Sequence, residues 1–311
     1  MAFADNTKRS YLSYKNAYFA FCKRMGYQIL PISQLSLLRY VAFLARRLAP
    51  SSIRKYLNII RILHLELGLR DPLQDNWVLN TVLKGVSRLK GLQVDRKLPI
   101  SPSILLGIKN QLHLNDITQA NFWAICVVAF FAFFRKSNLL PPSHLGFDPH
   151  KHLCRGDFSF FNQGLIIHIR WSKTIQFSER LLNVPLPILP GHPLCPVKAV
   201  LHAFTLTRGA PPRGPAFVVR KGPGWTSFPP GRFISTLRAL LENLGLEPKR
   251  YSGHSFRRGA ATWALKNGLP GETIKILGDW KSDTYQNYLA LDHSTKVNSV
   301  KDFAKNLPTT T

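Results

Sequence analysis

The sequence predicts a mainly α fold with a small antiparallel sheet, organised as an N-terminal helical bundle followed by a larger α+β domain. Three observations carry this. Residues 6–90 keep the three- and four-residue spacing of amphipathic helices and contain no convincing strand. Residues 91–101, GLQVDRKLPIS, are polar, basic and interrupted by Pro99, so they read as a boundary. Strand-type composition, partly in period two, is confined to residues 157–189. The domains so drawn are 1–94 and 95–311.

In the bundle, Tyr11, Tyr14, Tyr18 and Phe21 recur at helical steps and Gly26 ends the pattern. SQLSLLRYVAFLARRL predicts a second helix that stops before Pro50. Pro50 and Ser51 open a third that runs to Gly68, and DNWVLNTVLKGVSRLKG supplies a fourth. Beyond the boundary, SILLGIKNQLHL and the apolar run at 122–134 predict helices, the second ending in FFRKSNLLPP. That run is too short to span a bilayer and reads as a buried helix. DFSFF, GLIIHIRW and LLNVPLPIL predict the sheet, with Lys173 near a turn between two of its strands. Helical patterns resume at CPVKAVLHAFTLTRG and GRFISTLRALLENLG. Residues 253–289 then predict three short helices: one closed by Gly268, one ending at Gly278, and DTYQNYLA, which carries Tyr288 on an apolar face.

Lys and Arg number 42 against 16 acids, a net charge of +26 spread along the chain. Such an excess strains a compact state unless a polyanion balances it, which makes nucleic acid the first partner to consider. A ribosomal or membrane-surface protein shares the charge but not the 11% aromatic content, and no basic amphipathic anchor stands out. In the bundle, Lys8, Arg9, Lys15, Arg46, Arg47, Arg54, Lys55, Arg61, Lys84, Arg88 and Lys90 support a DNA-facing side by their number. Cys22, Cys126, Cys154 and Cys195 are widely spaced, and no secretory signal opens the sequence, so a reducing compartment is expected. His150, His152, Cys154, His192 and Cys195 match no usual zinc spacing, and no metal or cofactor is expected.

Four basic residues and one phenol stand out. His254 and Arg257, three apart at the start of a helix, share a face where backbone amides and the helix dipole favour an anion. Arg135 follows a deeply apolar helix, a costly place for a cation unless an anion or acid meets it. Each also has a structural alternative: a capping pair, a helix C-terminal arginine, a hairpin lysine at Lys173, a core tyrosine at Tyr288.

Taken in order, Arg135 after a buried helix, Lys173 on a hairpin, His254-x-x-Arg257 and then Tyr288 resemble the tyrosine recombinases, the phage-integrase family. FRKSNL looks like that family's first box, GHSFRRGAAT like its second, and LGDWKSDTYQNYL like its tyrosine box, in which Asp279 to Tyr288 has the family's nine-residue spacing and Tyr285 does not. The resemblance implies a helical core-binding domain, a catalytic domain, and cleavage of DNA through a 3′-phosphotyrosine at Tyr288 without ATP or metal. Arg135 and Arg257 would bind the non-bridging phosphate oxygens. His254 would hydrogen-bond the phosphate or handle the phenol proton, and Lys173 would protonate the departing 5′-oxygen.

It further implies four copies acting on two duplexes, with double-stranded DNA as substrate and neither a membrane nor a small-molecule partner. RKSNLLPPS, IRWSKT, VPLP and LCPV resemble more narrowly the recombinases of DIRS-like and Ngaro-like retrotransposons, which implies action in a nucleus and otherwise an intracellular one. Two positions depart from the family. Asn138 stands where an acid is usual, and Asp279 where His or Trp is usual; a carboxylate there repels phosphate unless turned away. A DNA-binding derivative that no longer cuts, and a type IB topoisomerase acting as one copy, remain the alternatives.

Overall fold

A computed structural model describes residues 5–91, 97–143, 146–172, 175 and 180–289, the side chains of residues 5, 6, 284, 287 and 288 excepted. The chain divides into two compact units, Met1–Asp95 and Arg96–Thr311.

The first unit is a bundle of α1 (Asp5–Met25), α2 (Gln34–Ala45), α3 (Pro50–Glu66) and α4 (Trp77–Lys90). The aromatic spacing of α1 becomes its core: Tyr18 and Phe21 are buried against Tyr40, with ring centroids 5.3 Å and 4.9 Å apart. Two polar side chains that enter this core are matched, whereas the buried Tyr40 hydroxyl has no hydrogen-bond partner among the described residues. The Tyr18 hydroxyl donates to the Ile29 carbonyl at 2.6 Å, and buried His64 places Nδ1 2.8 Å from the Ile60 carbonyl while Nε2 accepts the Ile32 N–H at 3.1 Å. Those two contacts select the neutral Nδ1–H tautomer. Ser33 caps α2 and Asn76 caps α4 through their side-chain oxygens. Arg9, Arg46, Arg47, Arg54, Lys55, Lys84 and Arg88 are exposed.

The second unit is built around α6 (Ile117–Phe131), in which every residue from Ala120 to Phe130 is buried. Preceded by α5 (Pro102–Asn110) and followed by the one-turn α7 (Lys136–Leu139), it packs against α8 (Pro196–Leu206) and α10 (His254–Lys266). Asn121, the polar residue inside this apolar helix, donates to the Ile117 carbonyl at 2.9 Å and accepts the Val218 N–H at 3.1 Å, which ties a strand to the helix. The expected sheet is present as an antiparallel meander, β1 (Phe158–Phe161), β2 (Gly164–Ile169) and β3 (Leu182–Pro187). A second hairpin, β4 (Val218–Lys221) with β5 (Gly224–Ser227), was not expected; its strands are short, and β5, GWTS, lacks the run of apolar residues that marks β1 and β2. After α9 (Pro230–Asn243), α10 ends at Gly268 as the sequence predicts: φ is 79° and the Leu269 N–H reaches back to the Ala264 carbonyl at 3.1 Å. α11 (Gly271–Leu277) follows. DTYQNYLA does not form a third α-helix: Asp283–Tyr288 is a 3-10 helix, closed by an i to i+3 bond from the Leu289 N–H to the Gln286 carbonyl at 3.2 Å.

α10 also lies against the segment that enters this unit. The Ile100 N–H donates to the Ser255 carbonyl at 3.0 Å, and a Cβ on Gly259 would stand 1.8 Å from the Ile100 carbonyl oxygen. Gly259→Ala should therefore lower stability in urea by about 1–3 kcal/mol, because backbone meets backbone. Gly85→Ala, inside α4 with no atom within 4 Å, should raise it by about 0.5–1 kcal/mol. Equal effects would contradict this packing.

Candidate active site

Arg257 lies on the first turns of α10 and is 2% exposed. A guanidinium so buried must find acceptors for its fork of N–H groups. Nη1 donates to the Phe133 carbonyl and Nη2 to the Gly278 carbonyl, the latter at 2.6 Å, and the planar head lies 3.7 Å from the Trp280 ring centre. The two carbonyls close α6 and α11, ends where helix carbonyls lack intrahelical donors and the dipole favours a cation. One side chain thus joins α6, α10 and α11.

Both helix ends are bent to present those carbonyls. After α6, Phe133 takes φ 53° and the Phe134 N–H reaches the Ala129 carbonyl at 3.0 Å; after α11, Asp279 takes φ 50° and the Trp280 N–H reaches the Lys275 carbonyl at 3.0 Å. These are left-handed helix stops of the kind usually given to glycine, which aspartate tolerates and which cost a bulky residue about 1–2 kcal/mol. Phe133 is held there by burial, by the bond from Arg257 and by edge-on contact with Trp280, ring centroids 6.3 Å apart. Trp280 fits because residue 278 is glycine: a Cβ there would stand 1.6 Å from Trp280 Cζ3.

Arg135 is the N-cap of α7 and is partly exposed. Its N–H donates to Asn138 Oδ1 at 3.0 Å, so Asn138 performs the capping that an acid at that position would also perform. Among the described residues, the Arg135 guanidinium has no acceptor. His254 opens α10 and is exposed. The helix begins there because Ser252 and Ser255 bracket Gly253: the Ser252 N–H donates to Ser255 Oγ at 3.0 Å and the His254 N–H to Ser252 Oγ at 3.2 Å. Gly253 is required by proximity, since a Cβ on it would lie 2.7 Å from Lys136 Cβ. This contact sets the start of α10, with His254, beside the start of α7, with Arg135. It also partly buries Lys136, and burial lowers that lysine's pKa.

Tyr288 is the last residue of the 3-10 helix. The helix is fixed by Tyr285, which is buried with its ring 6.2 Å from Trp280 and its hydroxyl 2.6 Å from where a Gly271 Cβ would stand, and by an ion pair of Lys275 Nζ with Asp283 Oδ1 at 2.8 Å. Lys173 lies outside the described residues; its neighbours Ser172 and Ile175 pair through N–H to carbonyl bonds of 3.0 Å and 3.2 Å. Asp279 pairs with Arg180, and it is Trp280, not Asp279, that the structure brings onto Arg257. The spacing argument had passed over Trp280, and nothing local to the sequence points to Arg180 or to the strained Phe133.

Three of the side chains considered for zinc bond to backbone N–H groups of their own loops. His152 Nδ1 accepts the Asp148 N–H at 2.8 Å, His192 Nδ1 the Leu194 N–H at 3.1 Å, and Cys195 Sγ the Leu189 N–H at 3.3 Å. No group of three or more metal-binding side chains is found among the described residues.

Arg257→Lys should destabilise the protein by roughly 2–4 kcal/mol, because an ammonium cannot bond both carbonyls and lie flat on Trp280, and charge-assisted bonds contribute about 1.5–3 kcal/mol each. An unchanged urea midpoint would contradict the arrangement.

No family model matches the sequence. An integrase/recombinase xerD homolog from Selenomonas ruminantium is 24% identical over 277 residues, which cover 87% of this chain and 77% of the relative. Among solved structures, the Tn1549 transposon integrase in complex with transposon right end DNA matches with a TM-score of 0.66 at 13% identity, over 97% of this chain and 95% of that one. XerH site-specific recombinase bound to palindromic difH substrate matches with a TM-score of 0.63 at 14% identity, over 96% of this chain and 80% of that one. The chain has the mainly helical fold of these recombinases and integrases.

Proposed function

We propose that the chain is a site-specific DNA recombinase or integrase that cleaves and rejoins DNA through a 3′-phosphotyrosyl intermediate at Tyr288. The observation that carries this reading is the convergence on Arg257. The guanidinium ties down the end of α6, which leads into Arg135, and the end of α11, which leads through Trp280 and Tyr285 to the helix ending at Tyr288; its own helix begins with His254.

In the forward step the Tyr288 phenol oxygen forms a bond to phosphorus, the bond from phosphorus to the 5′-oxygen breaks, and the 5′-hydroxyl leaves with a proton from Lys173. His254 takes the phenol proton as the bond to phosphorus forms, and the resulting imidazolium hydrogen-bonds the phosphate. Arg135 stabilises the charge that builds on the non-bridging oxygens, and Arg257, buried with Nη1 and Nη2 on the Phe133 and Gly278 carbonyls, contributes through its positive charge and the helices it positions, not by direct contact. Attack by a 5′-hydroxyl reverses each bond change, so the phosphodiester energy is retained and no nucleotide cofactor is needed. The Tn1549 integrase structure is a complex with transposon right end DNA and the XerH structure a post-cleavage complex with its palindromic difH substrate, which supports DNA as the substrate class here. The net charge of +26 supports it independently.

The two departures from the family pattern do not favour a non-cutting derivative. Asn138 supplies the cap that orients Arg135, and the Asp279 carboxylate is paired with Arg180. As part of the same proposal, four copies act on two duplexes. The parent is a DIRS-like or Ngaro-like mobile element, and the site of action is the nucleus.

On a duplex nicked close to the cleavage site, the intact protein should form a covalent protein–DNA adduct and Tyr288→Phe should form none. An adduct that persists in Tyr288→Phe, or none with the intact protein, would refute the reading. Duplex affinity should fall roughly 10³-fold between 50 and 200 mM salt, as for a protein that neutralises several phosphates. A shallow salt dependence in a titration would count against a backbone-spanning contact.

A further inference from the structure

Asp279 places a carboxylate one residue beyond the carbonyl that holds Arg257, in a site read above as the cradle of a DNA phosphate. An ionised acid there opposes the phosphate, since like charges at an interface suppress binding. The backbone explains why a small polar residue stands at this point: φ is 50°, a conformation open mainly to glycine, asparagine and aspartate. It does not explain how the charge is borne. Arg180 does. It sits on the segment that leads into β3, and its Nη2 donates to Asp279 Oδ1, the two side chains being 42% and 18% exposed.

We propose that Arg180 is a positioning residue of this site: it neutralises the Asp279 carboxylate and turns it away, so that the phosphate meets Arg135 and His254, on the framework held by the buried Arg257, without a competing negative charge. The proposal rests on the reading of the site as a DNA phosphate cradle. Two other roles for the same pair make different demands. An Arg180 that contacted DNA directly, or that merely tied the segment before β3 to the end of α11, would matter whether or not residue 279 carries a charge.

The test is a double-mutant comparison in the full chain, read both as the dissociation constant for a duplex and as the rate of adduct formation. Asparagine keeps the size of aspartate and its tolerance of the left-handed conformation, and removes the charge. Arg180→Ala should weaken duplex binding and slow adduct formation roughly tenfold when residue 279 is aspartate, and by less than about twofold when Asp279→Asn is already present. Arg180→Lys, which keeps the charge, should retain most of both. Equal losses in the two backgrounds, or no loss in either, would overturn the proposal. Because binding is read apart from cleavage, a protein that binds DNA with the expected pattern but forms no adduct rejects the cleavage reading and supports the neutralising role. A protein that binds no duplex overturns both.

Discussion

The second unit depends on the burial of one guanidinium. Taking an arginine out of water costs several kcal/mol unless its donors are met, and Arg257 meets its acceptors at the C-terminal ends of α6 and α11. Those ends are the right chemical partner, because free carbonyls and the helix dipole both favour a cation. The arrangement in turn demands two left-handed helix stops, one of them on a phenylalanine, and a glycine at 278 so that Trp280 can lie over the charge. Together they hold three helices at one point.

This constraint is also what organises the chemistry. The stop at Phe133 is followed by Arg135, whose backbone Asn138 fixes; the stop at Asp279 is followed by Trp280 and then by Tyr285, which seats the helix ending at Tyr288. The start of α10, with His254, is drawn to the start of α7 by the absence of a side chain on Gly253. A buried cation bonded to backbone carbonyls thus sets the spacing among the residues that would bind and attack a phosphate. Strain stored at Phe133 is the cost of that precision.

Much of this was legible in the residue pattern. The glycine at 268, the apolar run of α6 and the alternation of β1 to β3 report local rules, which act within a few residues. The 3-10 form of Asp283–Tyr288 was not legible, because a six-residue segment has too few turns to show its period. The seat of Tyr285 against Gly271 and Trp280, which fixes that segment, comes from tertiary contact. Arg180 could not be found at all: it meets Asp279 across 99 residues, and no sequence period reaches that far. Trp280 stood in view, but spacing pointed to its neighbour. At Asp279 the backbone makes the left-handed turn that aspartate tolerates, and Trp280, the next residue, lies over Arg257.

The most direct measurement is the identity of the residue joined to DNA. Protein trapped on a nicked duplex, digested and sequenced by tandem mass spectrometry, should carry the 3′-phosphate of the cleaved strand on Tyr288. Linkage at Tyr285, linkage through a 5′-phosphate, or a trapped complex with no covalent bond would contradict the account.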